Sequence, residues 1–181
     1  MYTSVIGWDP ALTSSGYSYM AEDRVITGRV VPGKRKGVER LLYVRDMFED
    51  LVLDCDLIAY EGYSMGSPKK RGGVGRFFDI GELGGVLKMA AAELGIPMLL
   101  VPPKTLKMFA TGNGNADKDM VIATVKEYWG HDIPNDDEAD AFALMKLGQA
   151  YHNHRVSRCY DEKRRRAFAG CELLHLNTEV L

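Results

Sequence analysis

Twice in this chain a short apolar run stops on a carboxylate. Val5-Ile6-Gly7-Trp8 ends at Asp9, and Leu57-Ile58-Ala59-Tyr60 ends at Glu61. Compact apolar runs bounded by turn signals read as buried strands. Two more strand candidates, near Gly16–Met20 and Arg24–Val31, follow the first run as an antiparallel meander. Val38, Leu41, Leu42, Phe48, Leu51 and Val52 then recur with the 3.6-residue period of a helix face. A second such helix runs over Asp79–Leu94, and Pro97–Val101 is a further buried strand. A short helix over Lys104–Phe109, another over Asp117–Trp129 and a last one from about Asp136 to Gln149 complete the order. Three strands in a meander followed by α/β alternation predict an α/β fold, a mixed five-stranded sheet with helices on both faces.

The chain has 181 residues, 46% hydrophobic and 27% charged, which is the balance of one folded globular unit. We expect a domain over residues 1–150 and a basic C-terminal tail or arm over 151–181. No run of about 18 apolar residues is present, so no membrane segment is expected. The N-terminus lacks the charged and apolar regions of a signal peptide. Three scattered cysteines, Cys55, Cys159 and Cys171, fit neither a disulfide framework nor a zinc site. A cytoplasmic location is the expectation. The net charge of −2 argues weakly against a polyanionic partner, but bases cluster at Lys34–Lys36, Lys69–Arg76 and Lys163–Arg166.

The carboxylates carry the chemistry. In open α/β sheets, sites gather at the carboxyl ends of strands, where Asp9 and Glu61 fall. Asp137 and Asp140, three apart on a helix, share one face. Each has a plainer reading: Asp9 as a turn residue before Pro10, Glu61 as a loop start, and Asp136, Asp137 and Glu138 as helix-start acids. Asp140 is harder to dismiss, because Ala139, Ala141, Phe142, Ala143, Leu144 and Met145 surround it; it is either near the helix end and solvated, or held for a ligand. Four converging acids would repel one another, and a divalent cation with oxygen ligands is the natural remedy. Two such ions would suit phosphodiester cleavage.

These residues resemble the RuvC-type Holliday junction resolvases, which have the RNase H-like nuclease fold. The stretch Ile6-Gly7-Trp8-Asp9-Pro10 through Ser15-Gly16-Tyr17 is similar to the family's first-strand motif. Ile58-Ala59-Tyr60-Glu61 is similar to the second, and Asp137-Glu138-Ala139-Asp140-Ala141-Phe142-Ala143 to the last. Lys104 to Lys107, Gly112, Gly114 and Ala116-Asp117-Lys118 look like its basic segment. The resemblance spans about residues 3–150, with some features closer to phage-type members. It implies that Asp9, Glu61, Asp137 and Asp140 are catalytic, metal-binding acids. It implies Mg²⁺, two ions per site, with Mn²⁺ as a substitute. It also implies a homodimer that cuts four-way DNA junctions by paired nicks and leaves 5′-phosphates.

Lys107 and Lys118 fall where the family contacts DNA near the scissile phosphate, and Lys104 belongs to the same segment. Their other reading is a solvated helix face. Lys69, Lys70, Arg71 and Arg76, in a glycine-rich stretch without acids, are candidate phosphate contacts. Where the family often carries an aromatic beyond the glutamate, this chain has Ser64. Tyr63, one position earlier, is either a base-stacking group or an ordinary half-buried tyrosine. Gly81, Gly84 and Gly85 make the second helix the candidate dimer face. Three rivals stand beside the resolvase: a broader debranching nuclease for forks and flaps, a sugar-kinase-like or actin-like ATPase, and a noncatalytic DNA-binding relative. The ATPase would need two such domains, and no Walker A pattern is present.

Overall fold

A computed structural model describes residues 4–62, 73–133, 135–157 and 162–174. Tyr63, Lys69, Lys70 and Arg71 lie outside the described residues. Six strands and six helices are described: β1 (Val5–Asp9), β2 (Ser15–Ala21), β3 (Arg24–Val30), α1 (Gly37–Val52), β4 (Leu57–Glu61), α2 (Gly73–Glu93), β5 (Met98–Val101), α3 (Pro103–Thr111), α4 (Lys118–Trp129), α5 (Asp136–Ser157), α6 (Glu162–Phe168) and β6 (Glu172–Leu174). The strands form one sheet in the order β3-β2-β1-β4-β5-β6. β1–β2 and β2–β3 are antiparallel, β1–β4 and β4–β5 are parallel, and β5–β6 is antiparallel.

The mixed sheet and its meander are those the apolar runs predict, with one strand more. β6 has only three residues, too few for an alternating pattern to show in the sequence. α2 also begins earlier than its apolar period suggests, because glycine-rich sequence opens it. Beyond residue 150, α5 continues to Ser157, Phe168 of α6 packs 6.2 Å from Phe109, and β6 pairs with β5. Among the described residues no helix is long and apolar enough to cross a membrane.

Each face of the sheet is covered by helices. Ile6, Trp8, Ile58 and Tyr60 join Val44 and Phe48 of α1 and Leu83 and Leu87 of α2. Trp8 is fully buried and meets Phe48 edge-on at 4.9 Å, an aromatic geometry that adds to its area burial. On the other face Val5, Leu57, Ala59, Leu99 and Val101 pack against α3 and α5. The partition follows strand alternation, in which successive side chains point to opposite faces.

α5 lies on the sheet with unusual closeness, and two glycines allow it. A Cβ on Gly7 would stand 1.9 Å from the Ala141 carbonyl oxygen, and one on Gly16 would stand 2.1 Å from that of Asp137. Both obstacles are backbone and cannot swing aside. Gly7→Ala must lift α5 or bend β1, and should destabilise the protein by about 3 kcal/mol or more. Urea unfolding of the variant checks this, and a midpoint unchanged from wild type would contradict the close approach.

Candidate nuclease site

Strand alternation fixes the side of the sheet that carries the acids. Val5, Leu57 and Ala59 point toward α5 and α3, and Asp9 and Glu61 continue those two series. Trp8 and Tyr60 are paired across β1 and β4, so the two carboxylates stand one step further on, side by side. Asp9 is also paired with Gly16 of β2, and Gly16 carries the backbone of Asp137 directly above it. The start of α5 is thereby brought to the end of β1. Asp140 follows one helical turn later on the same face.

The four carboxyls are close enough to act on one another electrostatically, and Asp9 and Glu61 lie within side-chain hydrogen-bonding reach. Burial pushes the Asp9 carboxyl well above the usual carboxylate range, and Glu61, Asp140 and Asp137 push it further. Burial also raises Glu61, against the opposing pull of the Asp9 bond and of Lys107 and Lys118. Asp140 is pushed up to about 7, first by burial and then by Glu61, while Lys118 and Lys107 hold it down. These are the marks of buried acids with too little countercharge.

The lysines of the basic segment stand close enough to act on this cluster. Lys107, on α3, donates to the Ala116 carbonyl at 2.6 Å. Lys118, at the start of α4, is paired with Asp136. Lys104 is exposed on the first turn of α3, and Arg76 is exposed on α2. Neither Lys104 nor Arg76 is described in contact with the acids.

Two features escaped the motif reading. The Ser14 hydroxyl donates to Asp137 at 2.7 Å, which fixes one carboxylate oxygen. The exposed run Lys34–Lys36 follows β3 at the Asp9 end of the sheet, since Val30 pairs with Ser15. A hydroxyl in the turn after β1 was the available signal for Ser14. The Lys34–Lys36 charge run was visible, but its place at the Asp9 end of the sheet depends on β-pairing.

All the donors here are carboxylate oxygens, the ligand type that hard divalent cations take. Among the described residues, no group of three or more His, Cys, Asp or Glu already stands as a metal cage. Asp9 instead faces Glu61, and Asp137 accepts from Ser14. The donor set suits a hard cation in its chemistry, with the carboxyl groups turned to one another and to Ser14.

The family model for crossover junction endodeoxyribonuclease RuvC matches residues 5–146. A protein of Anaeromyxobacter dehalogenans (strain 2CP-1) bearing that name is 30% identical over 148 residues, covering 77% of each chain. One from Synechococcus sp. (strain CC9311) is 29% identical over 82% of this chain and 99% of the relative. The fold is similar to that of Thermus thermophilus RuvC in complex with Holliday junction substrate. The TM-score is 0.70 at 18% identity, over 95% of this chain and 99% of the other.

A raised carboxyl pKa makes a protein less stable as its proton is lost. For Asp140 that contribution is complete below about 4, the unfolded value, and disappears as pH rises through about 7. Asp140→Asn mimics the protonated form at every pH. Without divalent ions the variant should match wild type near pH 4 and exceed it by about 4 kcal/mol at pH 8. Thermal melts at both pH values read the difference, and an equal offset at pH 4 and pH 8 would refute the assignment.

Proposed function

The chain belongs to the RuvC family of crossover junction endodeoxyribonucleases, and we propose that it resolves four-way DNA junctions at the site formed by Asp9, Glu61, Asp137 and Asp140. The observation that carries this reading is the side-by-side placement of Asp9 and Glu61 at the ends of adjacent parallel strands, where burial raises both carboxyls. Two acids are not left facing each other in a core for stability, because an apolar pair would cost less. Placed at strand ends, with two more acids above them, they suit phosphodiester hydrolysis.

Mg²⁺ held by these four carboxylates would neutralise the phosphate and lower the pKa of the attacking water, and Mn²⁺ offers the same oxygen chemistry. The chain's own residues do the rest. Asp9 and Glu61 would act as ligands in their ionised forms, side by side at the strand ends. Ser14 orients Asp137, and the shallow seat of α5 on Gly16 keeps Asp137 over Asp9. Lys107 and Lys118 stand beside the acids as phosphate contacts, since an ammonium on a flexible stem can leave a carbonyl or a surface carboxylate for a phosphate. Lys104, on α3 with Lys107, and Arg76, exposed on α2, are proposed as further phosphate contacts, and Lys69, Lys70, Arg71 and Tyr63 are proposed with them from the sequence.

A junction presents two equivalent strands, so we also propose a twofold dimer with two sites. α2 supports this. Phe78, Gly81, Gly85 and Met89 fall along one exposed stripe, with Phe78 64% and Met89 63% exposed and open space beside both glycines. Residues this apolar on an exposed helix face suit a second copy of the chain.

Asp9→Asn should lower cleavage of an end-labelled four-way junction in Mg²⁺ by more than about 100-fold while leaving junction binding intact. Paired symmetric nicks in the wild-type reaction, absent from a matched linear duplex, are the expected result. Equal cutting of the duplex would remove the junction-specific reading, and equal cutting of a replication fork would favour a broader debranching nuclease. Binding without cleavage in any divalent ion would leave a noncatalytic relative.

A further inference from the structure

We propose that Glu138 is a positioning residue for the nuclease site, holding the first turn of α5 so that Asp137 and Asp140 face Asp9; this rests on the function proposed above. Glu138 lies between those two acids in sequence, but its side chain is turned toward β3. One carboxylate oxygen, Oε2, accepts from the Thr27 hydroxyl at 2.6 Å. The other, Oε1, accepts from the Asn135 amide at 2.6 Å, with Arg29 Nε 3.6 Å away. The Glu138 backbone N–H donates to Asn135 Oδ1 at 3.0 Å. The Glu138 side chain is only 13% exposed, and every acceptor atom is occupied.

Helix capping accounts for part of this arrangement. Asn135 Oδ1 caps the Glu138 N–H, and the Asn135 side-chain amide steadies Glu138 in return. Capping does not require Thr27, which lies 111 positions away on the far strand of the meander. That bond ties α5 to the sheet at a second place. Ser14 holds Asp137 from one side and Thr27 holds Glu138 from the other. Successive helix residues point about 100° apart, so the two bonds together stop the first turn from rotating about its axis. Rotation in either direction would swing Asp137 and Asp140 away from Asp9 and Glu61. Hydrogen bonds of this kind, which orient ligand-bearing segments, characteristically change metal affinity when removed.

Thr27→Val removes the donor at nearly constant shape, and Thr27→Ser keeps it. Mn²⁺ binding to the DNA-free protein, followed by electron paramagnetic resonance, is the primary readout. Thr27→Val should weaken Mn²⁺ binding about 10-fold and slow single-turnover junction cleavage by a similar factor. Junction affinity without divalent ions should stay within about twofold of wild type, and Thr27→Ser should restore both properties. Should Thr27→Val fold poorly, Glu138→Gln replaces it. That variant exchanges one acceptor oxygen for a donor, breaks one of the two 2.6 Å bonds, and should lose part of the Mn²⁺ affinity. Wild-type Mn²⁺ affinity in a folded Thr27→Val or Glu138→Gln protein overturns the proposal, as does an equal loss in Thr27→Ser. Failure of the wild-type protein to cut any junction would overturn the proposed function instead, and the DNA-free Mn²⁺ comparison separates the two.

Discussion

The site depends on how low α5 rides on β1 and β2. Gly7 and Gly16 present no Cβ where the helix backbone passes, and Ala139, Ala141 and Ala143 add little bulk of their own. At this separation aspartates, the shortest carboxylates, reach from the helix to the strand end. A side chain on either glycine would raise the helix, and the acids on α5 would then fall short of Asp9. One steric fact therefore sets the packing of the longest helix and the chemistry beneath it.

The same closeness carries an electrostatic cost. Three of the four acids have raised pKa values, with burial the first cause in each. Lys107 and Lys118 offset part of this at Glu61 and Asp140, but neither ends in a direct bond to them: one donates to a carbonyl and the other pairs with Asp136. A fully neutralised cluster would be more stable and would have less call for a cation. The partial neutralisation leaves free energy that ion binding can recover, so the native state is less stable alone than when loaded.

Much of this was legible in the sequence because it is periodic or terminal. Asp9 and Glu61 could be found because each ends an apolar run, and strand alternation then determines their side of the sheet. The helix of Asp137 and Asp140 was legible from its apolar surroundings, which leave Asp140 either solvated near the helix end or held for a ligand. What escaped depends on contacts across long stretches of chain. Ser14 and Asp137 are 123 positions apart, and Thr27 and Glu138 are 111 apart. Ser, Thr and Glu at such positions look like turn and cap residues, and locally Glu138 is one. β6 escaped for a different reason: three residues cannot display an alternation, and only pairing with β5 identifies them.

The first turn of α5 shows why a single segment can serve both stability and chemistry. Backbone N–H groups at a helix start favour negative charge, so Asp136, Asp137 and Glu138 sit where the peptide dipoles help them. Each has a partner as well: Lys118, Ser14, and the Thr27–Asn135 pair. Asp140 lies at the limit of that dipole assistance and deeper against the sheet. It is the acid whose carboxyl rises to about 7, with Glu61 as its main repulsive neighbour. The helix start is thus tied down by bonds to its neighbours, while the acid one turn further in keeps the repulsion of Glu61 and Asp137. A first turn held at Asp136, Asp137 and Glu138, with an under-neutralised Asp140 behind it, is an arrangement in which an arriving cation changes the charge balance without having to move the helix.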